Sequence, residues 1–461
     1  MSLLATLSSA SNALQVFTAA LGADQTNVSN ASTPGFAAIR AAITPIGQSL
    51  AGTASPDVVE FQSAASPHAD ALVQSASSQS SYSQTTADRL GPVNQLFDIT
   101  GTSGILAALQ RFGTAFSAVT VSPNDATLRS AALASAGNVA TAFRSVANSL
   151  DAQKQDVDTG IQTTISTINQ LSEKIRQFNV AARGEPQIDP GTDAGRRSAL
   201  EQLSALTDIT VRNNADGTVS VVTGGQQPLV AGDQAYTLSA DPSAAPGQQV
   251  KSSGGGSSPA AYSGQLSALL DIRNGTLRTL SGGGGASGLV NDLAKGFAAR
   301  VNTLLGSGVT ADGTQGVPVF TYDTTNDSNV ARTLAIDPAV TGDQLALGTA
   351  GPPPQSNGTA VALAALPSSR QPADQITGSS PVDLFSSIAA GVGQQLSDAG
   401  TQAATDATAL TSAQTSRQQV SGVSLDQEAV AITAYQRAYE ASAKLVSILD
   451  QLTGDEVNLI K

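Results

Sequence analysis

Apolar side chains recur along the start of the chain at alternating steps of four and three residues. The stripe consists of Leu3, Leu7, Ala10, Leu14, Phe17 and Leu21. This spacing is the heptad pattern of a helix that packs along a seam against a partner. The positions between are mostly Ser, Thr, Asn, Gln and Ala, without the Glu–Lys pairs of a solvated helix. The pattern predicts a helix that neighbours cover and that is weakly ordered before it associates.

The C-terminal end of the chain shows the same kind of pattern twice. One helical stripe runs from residue 384 to 420, and a second begins at Leu425. The second consists of Leu425, Ala429, Ile432, Tyr435, Tyr439, Val446 and Leu449. Since both chain ends are heptad helices, we expect them to pair in a coiled-coil bundle, giving an elongated molecule with both termini at one end.

The middle of the chain is predicted to be helical first and mixed afterwards. Helical spacing covers residues 93–118, 126–150 and 157–178. From residue 208 the period becomes two around Asp216 and Gly217, which predicts a β-hairpin, and residues 317–337 contain two further candidate strands. Residues 263–280 and 289–305 are predicted helices. The fold class is therefore mainly α with a smaller β part, with short hairpins in the outer part of a rod-like domain.

The stretch SNASTPGF, residues 29–36, ends the first helix. Asn30 can cap the helix end, Pro34 cannot continue a helix, and Gly35 can adopt a positive φ. These properties explain a turn, but they do not explain the uncharged stripe that precedes it. The combination indicates a joint between a covered helix and the rest of the subunit.

Composition excludes several classes of protein. The 461 residues carry a net charge of −13 without a basic stripe, so we expect no nucleic-acid partner. There is no cysteine and one histidine, His68, which excludes disulfides and histidine clusters. No apolar run suits a membrane span, and the N-terminus lacks the basic region of a cleavable signal peptide, so we expect no membrane partner.

Motifs for catalysis or cofactor binding are incomplete. GGGGASG lacks the Lys and Ser/Thr of a phosphate loop, and NADGT lacks the downstream Glu of a calcium loop. A Ser-His-Asp triad would have to use His68, which we interpret as a loop residue beside Pro67. We expect no enzymatic activity, no metal and no cofactor.

Residues 7–40 resemble the N-terminal motif of the bacterial flagellar axial proteins, which are the rod, hook and hook-associated subunits. That motif is a heptad helix followed by an Asn-Ile-Ala-Asn-Ala-Asn-Thr-Pro-Gly-Tyr-like turn. The matching positions are Asn27, Asn30, Ala31, Thr33, Pro34 and Gly35. Phe36 stands where the motif has Tyr, so a hydroxyl is missing there.

Further segments resemble the hook-associated protein 1 family in particular. They include the Ser-Pro-Asn-Asp turn before an Arg-bearing helix, the SGQLSALLDIRN element, and the C-terminal helix that follows VSGVSLDQEAV. The large outer domain that many members insert after the position of Phe320 is expected to be absent or vestigial, because the chain soon reaches its C-terminal helices.

The resemblance implies a structural subunit of the extracellular bacterial flagellum. It would assemble head-to-tail into a helical ring between hook and filament, with hook protein on the proximal side and hook-associated protein 3 on the distal side. It would be exported through the flagellar type III apparatus without a cleavable signal peptide, after a cytoplasmic export chaperone has held it. The alternatives are another axial subunit of rod or hook, and a secreted filament-type protein with an embedded enzymatic domain.

The resemblance also divides the chain into four segments. Residues 1–60 would form the inner-tube helix, turn and linker, and residues 61–207 a helical bundle. Residues 208–370 would form hairpins, two helices and loops of the same rod-like domain, and residues 371–461 the returning C-terminal helices.

Subunit contacts are expected on the terminal helices and the turn. The residues are Leu3, Leu7, Leu14, Phe17, Leu21, Asn27, Asn30, Thr33, Pro34, Gly35, Phe36, Leu425, Ile432, Tyr435, Tyr439, Val446 and Leu449. The chaperone contact is expected on Ile432, Tyr435, Tyr439, Val446 and Leu449.

Overall fold

The computed structural model describes residues 3–46, 55–100, 102–183, 189–224, 227–241, 244–254, 262–351 and 354–459. These residues are mainly helical with short antiparallel strands, which confirms the predicted fold class.

The helices differ widely in length. In chain order they are α1 (Leu3–Asn30), α2 (Pro67–Gln95), α3 (Gly104–Val121), α4 (Ala126–Ala182), α5 (Pro190–Leu206), α6 (Gly264–Asp271), α7 (Arg278–Ser281), α8 (Leu289–Ser307), α9 (Val330–Thr333), α10 (Gly358–Ala365), α11 (Pro381–Ser421) and α12 (Leu425–Leu459). A π-helix, Ile272–Leu277, joins α6 to α7.

The strands form small antiparallel sheets. They are β1 (Ile39–Ile46), β2 (Ser55–Ser63), β3 (Thr210–Asn213), β4 (Val219–Thr223), β5 (Gln227–Ala231), β6 (Gln234–Ala235), β7 (Leu238–Ala240), β8 (Val250–Ser252), β9 (Gly308–Val309), β10 (Phe320–Thr321), β11 (Ala335–Ile336) and β12 (Gly348–Thr349). Strands β3 to β6 form one sheet in sequence order, and the others pair as β1–β2, β7–β8, β9–β12 and β10–β11.

The chain groups into two compact units. The terminal unit comprises residues 1–80, 168–237 and 406–461, and the central unit comprises residues 81–167 and 238–405. Helices α2, α4 and α11 contribute residues to both. The four consecutive segments stay a prediction.

A buried asparagine ties α4 to the four-stranded sheet of the terminal unit. Nδ2 of Asn179 donates to the backbone oxygens of Val219 and Gly232, both at 2.7 Å, and its Oδ1 accepts from the backbone N–H of Val219 at 2.9 Å. Because an unpaired buried amide would be costly, these three bonds fix the register between helix and sheet. The predicted hairpin at Asp216 and Gly217 is confirmed as β3–β4.

An aromatic cluster forms part of the core of the central unit. The ring of Phe112 lies 4.5 Å from that of Phe116 and 5.1 Å from that of Phe297, and Phe297 lies 6.1 Å from Phe320. Helix α3 is, by length and hydropathy alone, apolar enough to cross a membrane, which corrects the expectation that no such run exists. Its buried side chains, which include Ile105, Phe112 and Phe116, belong to this core.

The arginine that follows the Ser-Pro-Asn-Asp turn stabilises a loop of the central unit. Arg129 is 4% exposed, and its guanidinium donates to the backbone oxygens of Pro123, Gly342, Asp343 and Leu345. Burial lowers the pKa of Arg129. The planar fork of an arginine can satisfy several carbonyls at once, which explains an arginine at this position.

His68 is the second residue of α2 and does not lie in a loop. Three further predictions differ from the structure. The predicted helix 93–118 is interrupted between Gln95 and Gly104, where Asp98 accepts hydrogen bonds from Thr100 and Ser103. Helices 126–150 and 157–178 are one helix, α4, because residues 151–156 contain neither Gly nor Pro.

The third difference lies in residues 317–337. Only two-residue strands form there, since the side chain of Asn302 bonds the backbone of Val319 and Phe320 and replaces a strand partner.

Candidate assembly surface

Asn27 fixes the reversal of the chain after α1. Its buried Nδ2 donates to the backbone oxygen of Ile39 at 2.8 Å, and its Oδ1 accepts from the backbone N–H of Ile39 at 2.8 Å. The same Nδ2 donates to Oε2 of Glu428 on α12 at 3.1 Å. A side-chain amide that bonds one residue in both directions acts as a short strand partner. Asn27 therefore holds β1 and α12 to the end of α1.

The other polar residues of the turn end the helix locally. Nδ2 of Asn30 donates to the backbone oxygen of Thr26 at 2.9 Å, and Oδ1 of Asn30 accepts from the hydroxyl of Thr33 at 3.2 Å. These bonds satisfy a backbone carbonyl and a side-chain oxygen in and directly after the last turn of α1. Thr33 and Pro34 are exposed.

Gly35 brings the turn into direct contact with the backbone of α5. Its φ is +77°, and a Cβ atom there would lie 2.4 Å from the backbone oxygen of Ala194 and 2.8 Å from the backbone nitrogen of Ser198. Any side chain is thus excluded by both conformation and contact. The neighbouring Phe36 is half-buried. This stretch is a docked joint rather than a free loop.

The joint also meets the junction of α11 and α12. The backbone N–H of Ala38 donates to the oxygen of Ser421 at 2.9 Å, and that of Ala64 donates to the oxygen of Ala38 at 2.8 Å. Nearby, Arg417 of α11 bridges Asp70 of α2 and Glu201 of α5. The joint after α1 and the α11–α12 junction are therefore bonded to each other, and Arg417 next to that junction is bonded to α2 and α5.

Helices α1 and α12 pack along each other, which confirms the predicted pairing of the chain ends. The buried stripe of α1 differs from the predicted one and consists of Ala10, Ala13, Val16, Ala20 and Ala23. The predicted residues Leu7, Leu14, Phe17 and Leu21 flank it and are half-buried, and the side chain of Leu3 lies outside the described residues. Alanines in the seam let the two backbones approach closely.

The predicted residues of α12 divide into two groups. Ile432, Tyr435 and Val446 are half-buried and Leu449 is buried, with Tyr435 6.3 Å from Phe17 between ring centroids. Leu425, Ala429 and Tyr439 are exposed, so the expectation that they lie in the seam was wrong. Leu425 is the first residue of α12. Tyr439 lies one position after the seam, and one residue corresponds to a rotation of about 100° around the helix axis.

A second apolar stripe of α12 is exposed, and sequence reasoning missed it. We call it the free stripe; it consists of Val430, Ala434, Ala441, Leu445, Ile448 and Leu452. The exposed fraction is 71% for Val430, 46% for Leu445 and 47% for Ile448. The available signal was the helical spacing of these residues, with steps of four and three from Ala441 to Leu452. Arg437 separates Val430 and Ala434 from the longer part, Ala441 to Leu452. Exposed apolar surface of this kind marks an interaction site.

The outer face of α1 is exposed and uncharged, and Val28 is its one large apolar residue among those whose exposure the structure describes. The other residues of this face are small or polar. They are Ser8, Ser11, Gln15, Thr18, Gly22, Gln25 and Ser29. Such a face contributes little hydrophobic affinity, so the free stripe is the stronger candidate for subunit contact.

Two acidic groups meet inside the helix pair. Asp24 of α1 is 6% exposed and lies beside Glu428 of α12. Burial and the proximity of Glu428 raise the pKa of Asp24 to about 6. Burial, together with both acids, also raises the pKa of Tyr435. Within the described part of the chain, no group of three or more His, Cys, Asp or Glu side chains is arranged to hold a metal ion.

Comparison with known proteins agrees with these features. Residues 90–320, half of the chain, match the family described as the flagellar hook-associated protein FlgK helical domain, and residues 414–459 match the flagellar basal body rod FlgEFG protein C-terminal family. The flagellar hook-associated protein 1 of Bacillus subtilis (strain 168) is 25% identical over 503 residues, which cover 98% of this chain and 97% of that protein.

A solved structure shares the fold. The flagellar hook junction protein FlgK from Burkholderia pseudomallei matches with a TM-score of 0.62 at 15% identity, over 76% of this chain and 100% of that chain.

The paired terminal helices, the Asn27 joint and the matched C-terminal segment define a structural subunit of the bacterial flagellum. Within that class, the chain belongs to the FlgK family of flagellar hook-associated proteins.

Proposed function

We propose that the chain forms the junction between flagellar hook and filament by head-to-tail assembly into a helical ring. The observation that carries this proposal is the free stripe, which leaves apolar surface uncovered beside an already paired α1. A tube built from identical subunits needs such a heterologous contact, one surface of a subunit meeting a different surface of the next. Hook protein is the proximal partner and hook-associated protein 3 the distal partner.

The proposed role is structural and extracellular. It involves no catalysis, cofactor, nucleic acid or membrane, and the subunit leaves the cell through the flagellar type III apparatus without a cleavable signal peptide. Family membership supports this reading over a rod or hook subunit, because the match covers the helical domain that gives the family its name.

Deleting the gene is expected to give cells with complete hooks but no filaments, and with filament protein lost to the medium. The reason is that filament subunits would lack a base on which to assemble. Electron microscopy of the cells and immunoblotting of the medium measure both effects, and the gene returned on a plasmid is the control. Filaments attached to hooks in the deletion strain would exclude the junction role.

The export chaperone is proposed to compete with α1 for α12. Among the predicted chaperone residues, Ile432, Tyr435 and Val446 are half-buried and Leu449 is buried in the folded chain, where α12 packs along α1, whereas Tyr439 is exposed. A chaperone that binds those four side chains must therefore hold α12 before α1 has paired with it.

Ile432→Asp is expected to lower binding of the cytoplasmic export chaperone at least about tenfold, because a carboxylate would enter an apolar contact. Thr433→Asp is the matched control, since Thr433 is the exposed neighbour on the same helix. Removing residues 1–23 is expected to strengthen binding by removing the competitor. Titration calorimetry with the purified chaperone measures the affinity of these three proteins. Equal losses of affinity for Ile432→Asp and Thr433→Asp would show that the chaperone does not bind at Ile432.

A further inference from the structure

The position of Asp24 is unusual for a charged residue. It is the sole charged residue in the sequence of α1, yet its side chain is buried in the helix pair while the exposed face of α1 is uncharged. Its Oδ2 atom has no hydrogen-bond partner among the described residues. A buried carboxylate without a cation or donor is strongly disfavoured, so this side chain is not a simple solvated acid.

The groups that face Asp24 do not supply a positive charge. They are Glu428 and Tyr435, both on α12. Oε2 of Glu428 accepts a hydrogen bond from Asn27, which holds this carboxyl group in the interface. The nearby charged residues Arg40 on β1, Glu60 on β2, and Asp426 and Arg437 on α12 are exposed.

We propose that Asp24 and Glu428 share one proton in the paired state, so that pairing of α1 with α12 depends on pH. With that proton on Asp24, its O–H donates to the Glu428 carboxylate, and one negative charge remains. When the proton is released to solvent, two carboxylates face each other in a buried site and repel. Where the pH lies between the pKa of Asp24 in the separated state and that in the paired state, pairing thus takes up a proton and separation returns it. The inference concerns the helix pair alone and does not depend on the proposed junction role.

The pH window follows from the direction of the shift. The pKa of Asp24 is about 6 in the paired state against 3.8 in an exposed chain. The paired state therefore binds the extra proton between these two values, and pairing weakens as the pH rises through this range. Linkage gives a fall of about tenfold in the pairing constant between pH 5.0 and pH 7.5.

Hydrogen–deuterium exchange on the full chain tests the proposal. After correction for intrinsic exchange rates, protection of amides in residues 16–27 and 428–438 is expected to be about tenfold higher at pH 5.0 than at pH 7.5. Asp24→Asn should remove this difference, because the amide cannot ionise. Asp426→Asn, an exposed acid on α12, should keep it. Amides of α3 in the central unit should not change.

The Asp24→Asn variant is needed because Asp70, elsewhere in the terminal unit, also has a pKa raised by burial. Equal protection at the two pH values in the wild-type chain would overturn the proposal, as would a difference that persists in Asp24→Asn. If Asp24→Asn fails to fold, the carboxyl carbon-13 shift of Asp24 in the wild-type chain decides. A midpoint near 6 supports proton sharing, and a midpoint near 4 overturns it.

Discussion

A chain carrying both Leu445→Glu and Ile448→Glu is expected to fold and to be exported, but not to assemble. Both side chains are about half exposed in the single chain, so the substitutions disturb little of its own packing. In an assembled ring they would bury two carboxylates in place of two apolar groups. Losing the burial of each side chain costs about 2 kcal/mol, and burying each charge costs more, so the contact is lost altogether.

The matched control is Ser447→Glu with Gln451→Glu. It adds the same two charges to the same part of α12, on the exposed polar face. Swimming in soft agar and filament counts by electron microscopy measure assembly, while immunoblots of the medium show export. Filaments in the first variant, or loss of filaments in both, would contradict the assignment of the free stripe.

Gly35→Ala is expected to destabilise the terminal unit strongly although it adds a single methyl group. The positive φ alone costs an alanine about 1 kcal/mol. In addition, its Cβ would meet backbone atoms of Ala194 and Ser198, which cannot move as a side chain does. The joint would have to leave α5, at a total cost of about 3 kcal/mol or more.

Gly104→Ala separates these two causes. Gly104 has a similar φ of +73° but no atom within 4 Å of the added Cβ. Gly104→Ala should therefore lower the free energy of unfolding only by the cost of the positive φ. Hydrogen exchange measures amide protection in each unit separately. Gly35→Ala should lower protection in α5 and β1, and Gly104→Ala should lower protection in α3 slightly. Equal small effects would mean that the turn is not docked on α5.

Sequence patterns predicted the helical spacing of α1 but not which face of the helix is buried. Large apolar residues give the stronger pattern in the sequence, and they are Leu7, Leu14 and Phe17. The structure buries the alanine stripe one residue away, because small side chains allow closer helix packing than leucines do. Heptad spacing alone cannot distinguish two parallel stripes on one helix when both are uncharged.

The turn could be predicted as a joint, but its partners could not. Asn27 and Gly35 were selected from the sequence, whereas their contacts with Glu428 and Ala194 join residues that are far apart along the chain. The buried Asp24 gave no signal, since a lone acid on a helix is ordinarily solvated. The free stripe has helical spacing that is visible in the sequence. It was missed because the stripe that faces α1 already explained why α12 forms a helix.

Photo-crosslinking at Ile448 tests the central claim, that the free stripe is an assembly contact. A photoreactive phenylalanine analogue replaces Ile448 in the full chain, and isolated hook–filament junctions are irradiated. An adduct with a second copy of the chain or with an adjoining axial subunit is expected, and weak or no adduct from the same probe at Ser447. Adducts from position 447 but none from position 448 would contradict the claim.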